Sequence, residues 1–136
     1  MSSPRPWIAP ALYMLLVVAL SSIPGSGGNG TEPGPFAWVP SLISNALHLP
    51  LYAGLAFLWA RALVTGAGLV PVRATIIALA IAAAFGVFDE LYQGLVPGRS
   101  TSLQDWLANA VGAAAGCLVY LRFHRARGRR PTNGCG

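Results

Sequence analysis

Four long apolar blocks, at about 7–23, 41–63, 71–88 and 103–123, dominate this chain of 136 residues. A soluble domain breaks its apolar residues into short periodic runs, because one face of each element must meet water. Blocks this long and unbroken are each close to the roughly 20 residues that a helix needs to cross a hydrocarbon core. Charged residues make up only 10% of the sequence, against about a quarter in an ordinary soluble domain, too few to cover a water-facing surface. Backbone in lipid must satisfy its own hydrogen bonds, so the blocks are expected as helices. The expected fold is an all-α, four-helix transmembrane bundle, one membrane domain over residues 1–123. Blocks one and three are short, so the bundle is expected to be thin or locally tilted.

Arginine placement sets the expected orientation. The chain has nine basic residues, all arginine, and four acids, for a net charge of +5. Arg5 precedes the first block, Arg61 and Arg73 flank the connection between the second and third, and Arg122, Arg125, Arg127, Arg129 and Arg130 follow the fourth. The loop 24–40 holds no arginine and one acid, Glu32, and the loop after block three holds Asp89, Glu90 and a single Arg99. The positive-inside rule then puts both termini in the cytoplasm and the polar segment 89–109 on the outer side. Residues 124–136 read as a basic, disordered cytoplasmic tail attracted to anionic headgroups. No aromatic interleaving or recognition motif accompanies the arginines, so nucleic acid is excluded as a partner. In the loop 24–40, Asn29-Gly30 and Pro33-Gly34-Pro35 are turn signals, and Phe36 and Trp38 suit the interfacial aromatic belt.

A rival reading takes Arg5, the short first block and the small residues Ser21 and Ser22 as a signal peptide. Pro10 and the lack of an A-x-A site argue against it. Cleavage would leave three spans with the C-terminus still inside. Cys117 lies in an apolar block and Cys135 in the tail, and both are read as free thiols.

Polar residues are expensive in such a setting and mark function or a structural clasp. In block four, Asp105, Asn109, Gly112 and Gly116 fall at i, i+4, i+7 and i+11, one helical face. Gly112 and Gly116 form a small-xxx-small pattern that lets a packing partner helix approach closely. Block two repeats the spacing with Ser41, Asn45, His48 and Tyr52, and Pro50 is a candidate kink. Both faces lie at the outer level, which favours their meeting. Asp89, Glu90 and Gln93 share one turn, Pro97-Gly98 turns the chain, and Arg99 follows. Ser100, Thr101 and Ser102 are N-cap candidates for block four, with Asp105 at N3 if Ser102 is the cap.

A partly buried carboxylate near a histidine suits proton transfer, so Glu90 and His48 form a candidate acid–base pair. The planar fork of Arg99 suits a carboxylate or phosphate, though a clasp holding the 93–102 loop is the stronger reading of that residue. Asp105 also reads as a helix-start carboxylate favoured by the dipole, and His48 equally as a hydrogen-bonded core histidine. One histidine with scattered acids lacks metal-ligand spacing, and nothing calls for a cofactor.

The pattern Asp89-Glu90-x-x-Gln93-x-x-x-Pro97-Gly98-Arg99, continued by Asp105, Asn109, Gly112 and Gly116, resembles the VanZ-like family of small bacterial membrane proteins. Ser22-Ile23-Pro24-Gly25, His48 and Tyr52 agree with it. Family members often carry an Asp-Lys pair just before the histidine, where this chain has Ser44 and Asn45. The resemblance implies a four-span protein of the bacterial cytoplasmic (inner) membrane, in a family named for a member associated with low-level teicoplanin resistance. It carries functional roles to His48, Tyr52, Asp89, Glu90, Gln93, Arg99, Asp105 and Asn109.

Three functions fit these residues. The first is an outward-facing polar pocket that binds or modulates cell-envelope precursors, or drugs that bind them. In it Arg99, Asp89, Gln93, Asp105, Asn109 and Tyr52 contact a lipid-linked ligand. The second is an enzyme acting on a lipid-linked phosphate, with Glu90 and His48 as acid and base and Arg99 stabilising charge. No G-x-S-x-G nucleophile motif supports it. The third is a structural scaffold, with the charged cluster stapling the outer loop and the Gly112/Gly116 face holding a partner. A transporter fits less well, since four spans make a narrow bundle and no internal repeat is visible.

Overall fold

The computed structural model of the protein describes residues 5–24, 41–99 and 101–128, the side chains of 41–46 excepted. Among those residues the fold is four α-helices: α1 (Arg5–Ser21), α2 (Ser41–Ala67), α3 (Pro71–Gln93) and α4 (Leu103–Gly128). No strand occurs among them, as the all-α expectation required. Three stretches are long and apolar enough to cross a membrane, Leu47–Ala67, Pro71–Gln93 and Leu103–Gly128. Helix α1 has 17 residues. At 1.5 Å per residue it covers about 25 Å, slightly less than the roughly 30 Å hydrocarbon core.

The helices overrun the apolar blocks at three ends, with a local cause for each. Helix α2 continues to Ala67 because the first residue that breaks it is Gly68, in the left-handed conformation at φ 67°. There the chain turns back, and Leu69 N–H reaches the Leu63 carbonyl at 3.2 Å. Helix α3 opens on Pro71, where the missing N–H would have had no helical partner. It runs through Gln93, so Asp89 and Glu90 are helical and not in the loop where the sequence reading placed them. Helix α4 runs to Gly128, which removes 124–128 from the expected disordered tail. Arg125 and Arg127 in its last turn suit the negative end of the helix dipole. Glu32, Phe36, Trp38, Ser100, Arg129, Arg130, Cys135 and the turn signals of the 25–40 segment lie outside the described residues. So do the side chains of Ser41, Ser44 and Asn45.

Helix α2 is the hub. It packs on the other three helices and most extensively on α4, while α1 lies against α2 and touches α3 only lightly. The seam of α2, α3 and α4 is rich in small residues: Ala56, Ala60, Ala74, Ala78, Ala82 and Ala113 are all fully buried. Gly112 and Gly116 bring α4 onto the α2 backbone, since an added Cβ at 112 would strike the Leu49 carbonyl and one at 116 the Ala53 carbonyl. The packing partner of that face is therefore α2 of the same chain, which removes it as a docking surface for another protein. Large apolar side chains such as Leu12, Leu15, Ile76, Val111 and Leu118 point outward. Lipid tails are as apolar as leucine, so helices in a bilayer associate through close small-residue packing.

Charge separates along the bundle. Arg5 and Arg61 border one cleft where α1 begins and α2 ends, and Arg61 and Arg127 both lie near the Tyr120 hydroxyl. The acids Asp89, Glu90 and Asp105 gather at the opposite end, where α3 finishes and α4 starts.

Candidate functional site

The end of α3, the start of α4 and the His48–Tyr52 turn of α2 converge at the acidic end. Gly112 and Gly116 continue the Asp105/Asn109 face of α4, so the contact that seats α4 on α2 also sets Asn109 opposite His48. Burial there is nearly complete: Asp89 and Tyr52 are 0% exposed, Asn109 1%, Gln93 2%, Glu90 6%, Asp105 8% and His48 9%. Each polar atom must therefore find its partner inside the protein, in an ordered water or in a ligand.

Much of the pairing is internal. Tyr52 Oη donates to Asp89 Oδ2 at 3.2 Å, and Gln93 Nε2 lies 3.1 Å from the same oxygen. Gln93 Nε2 also lies 3.2 Å from Ser21 Oγ, which links α1 to the cluster. His48 Nδ1 and Asn109 Oδ1 are 2.9 Å apart. With the amide in that orientation its oxygen can only accept, which places the imidazole proton on Nδ1. Beside this, Ser22 Oγ gives its proton to the Val18 carbonyl at 2.7 Å, so Tyr92 Oη donates to Ser22 across 2.9 Å.

The loop that leads into α4 is fixed at both ends. Pro97 and Gly98, the latter at φ 74°, make a type II turn closed by Arg99 N–H to the Val96 carbonyl at 3.1 Å. Ser102 caps α4, its Oγ accepting from Asp105 N–H at 3.4 Å, as the cap spacing predicts. In a capping box the acid at N3 would take the Ser102 N–H. Here Glu90 takes it from α3, through Oε2 at 3.1 Å.

Four buried atoms in the cluster have no partner: Asp89 Oδ1, Glu90 Oε1, Asp105 Oδ1 and Asn109 Nδ2. Each unpaired buried group costs roughly 1–3 kcal/mol, and more when charged. Arg99 is half-buried and does not reach these carboxylate oxygens. The loop is thus held by the 96–99 turn and the Glu90–Ser102 bond, without an arginine clasp on these atoms. Glu90 lies within the electrostatic reach of Asp105, His48 and Asp89. Among the described residues, however, no three His, Cys, Asp or Glu side chains are placed to share a metal ion.

The structure thus unites His48, Tyr52, Asp89, Glu90, Gln93, Asp105 and Asn109 in one buried cluster and leaves Arg99 without a bond to its orphaned oxygens. It adds Ser21 and Ser102, which the sequence reading did not assign to the site. Ser21 ends the first apolar block at the level of the polar segment, and that position was the signal available.

Neither the curated proteins nor the solved structures contain a match to this chain. The sequence profile described as VanZ/LLP1 does match, over residues 7–124, from the first turn of α1 into the last turns of α4. The match takes in α2 and α3 whole, most of α1 and α4, and every residue of the buried cluster, and the chain belongs to the VanZ/LLP1 family.

Proposed function

We propose that the buried cluster binds the polar head of a lipid-linked cell-envelope precursor in the outer leaflet of a bacterial cytoplasmic membrane. The observation that carries this reading is the set of unpaired atoms: three carboxylate acceptors and one amide donor. A ligand that completes them brings several hydroxyl or N–H donors and one acceptor, the pattern of a sugar or peptide headgroup. A bare phosphate is rich in acceptors and is repelled by the acids. Arg99, half-buried and not bonded to those acids, is the group suited to the phosphate that joins such a headgroup to its lipid. The positive-inside rule supports the orientation, with the arginine end and both termini in the cytoplasm. A glycopeptide drug of the teicoplanin type that sequesters the same headgroup would compete with this site, which gives a physical route to resistance.

An enzyme acting on a lipid-linked phosphate ranks second. Glu90 and His48 belong to the same buried cluster, but the hydrogen bond of Glu90 goes to Ser102 N–H and that of His48 to Asn109. No hydrogen bond joins the two side chains, and the atoms left for proton transfer are Glu90 Oε1 and His48 Nε2.

The test compares binding of a polyprenyl pyrophosphate that carries an aminosugar with binding of the same lipid lacking the sugar. Wild type should prefer the sugar-bearing lipid, and Arg99→Ala should weaken both by roughly tenfold while remaining folded, the scale of one charge-assisted contact. Equal binding of the two lipids, unchanged in a folded Arg99→Ala, would sink the proposal.

A further inference from the structure

At the arginine end of the bundle, the start of α1 and the end of α2 enclose a cleft of ≈ 280 Å³. We propose that it is a second site, independent of the polar cluster, which takes a phosphate group, with an anionic phospholipid as its source. Arg5 and Arg61 both line it, and the walls between them are apolar: Pro6, Ala9, Leu58 and Ala62. Among the described residues, no carboxylate lines the cleft. Three of the four acids of the chain, Asp89, Glu90 and Asp105, lie at the opposite end of the bundle, and Glu32 is outside the described residues. Two arginines lining one small space repel each other, and no acid among the described residues of the cleft offsets them, so the cleft suits an anion.

The depth fits a lipid headgroup. Arg61 lies six residues before the end of α2 at Ala67, about 9 Å along the axis at 1.5 Å per residue. Beside it Trp7 and Trp59 pack with ring centroids 6.1 Å apart, and tryptophan gathers at the headgroup level of bilayers. Thr65 Oγ1 donates to the Arg61 carbonyl at 2.9 Å, which leaves the two arginines as the charged donors among the lining residues. Arginine forks suit phosphate oxygens, and apolar walls suit the glycerol and first methylenes beneath them. An arginine that served only to orient the helix would be interchangeable with the other basic residues at this end.

Native mass spectrometry of the full chain, released from micelles doped with phosphatidylglycerol or with phosphatidylcholine, reads the bound lipid directly. Wild type should retain phosphatidylglycerol in preference to phosphatidylcholine. The double variant Arg5→Gln/Arg61→Gln should lose roughly tenfold or more of that retention, whereas Arg122→Gln/Arg125→Gln, outside the cleft, should keep it. Ala9→Glu supplies the missing carboxylate and should also lose the lipid, while Arg5→Lys/Arg61→Lys should keep part of it. Circular dichroism and gel filtration confirm that each variant is folded. Inorganic phosphate that displaces the lipid and stabilises wild type equally, but not the double variant, would support the phosphate site with a soluble source. Retention by the folded double variant equal to wild type, or an equal loss in the Arg122/Arg125 variant, would overturn the proposal.

Discussion

Asp89 is fully buried, and one of its oxygens takes both of its hydrogen bonds, from Tyr52 and Gln93, while the other takes none. Its position therefore depends on the two donors. Tyr52→Phe removes one of them and leaves the ring packed against Phe85, with centroids 6.2 Å apart. The variant should lose about 1–3 kcal/mol of stability in detergent unfolding, as expected for stripping a partner from a buried acceptor. An unchanged midpoint would show that Asp89 does not rely on Tyr52. Identities at this scale were legible in the sequence, because a carboxylate, amide or histidine in an apolar block is conspicuous. Pairings were not. Glu90 and His48 read as partners, yet Glu90 bonds Ser102 N–H, since the 96–99 turn folds the chain so that residue 102 meets the last turn of α3. Ser21 was read as one of the small residues of a possible signal peptide, and only the packing of α1 on α2 and α3 brings it to Gln93.

Between elements, the α2–α4 contact is the one that builds the site. Gly112 and Gly116 press on the Leu49 and Ala53 carbonyls, within five residues of His48. Backbone cannot yield as a flexible side chain does, so Gly112→Ala or Gly116→Ala should each cost roughly 1–3 kcal/mol by overpacking. Either should also move Asn109 away from His48, which is visible as a shift of the imidazole signals in NMR. Full stability in both variants would contradict the backbone contact. The glycine spacing predicted a close approach from sequence alone, but a small-xxx-small face does not name the helix that fills it. The ends of α3 and α4 were misjudged for a related reason. The apolar blocks stop at Phe88 and Phe123, but the backbone stays helical while tertiary contacts, such as those made by Asp89, Glu90 and Gln93, hold the last turns.

Among the described residues, every arginine but Arg99 lies toward one end of the bundle and the acids lie at the other, so the bundle is polarised along its axis. If that polarity sets orientation, a cysteine introduced as Leu95→Cys, at a position 83% exposed near the acidic end, should react with a membrane-impermeant maleimide in intact cells. Cys117 is buried and should not compete, and Cys135→Ser in the same variant removes the other thiol. A C-terminal fluorescent-protein fusion should fluoresce, as cytoplasmic fusions do. Protection of the Leu95→Cys thiol in intact cells, with labelling only after lysis, would reverse the topology. The four-helix class was legible from block length alone, because lipid permits so few backbone arrangements. If the unpaired atoms at the acidic end receive a donor-rich headgroup, Glu90→Gln should remove its binding. Glutamine keeps an acceptor for Ser102 N–H but places a donor where Glu90 Oε1 stands open. The melting temperatures of wild type and Glu90→Gln in detergent, each with and without an aminosugar-bearing polyprenyl pyrophosphate, give the answer. The lipid should raise Tm for wild type, Glu90→Gln should abolish the rise, and the two proteins should melt alike without lipid. No rise in wild type, together with a lower Tm for Glu90→Gln alone, would contradict headgroup binding and leave the cluster as a structural staple of the α3–α4 loop.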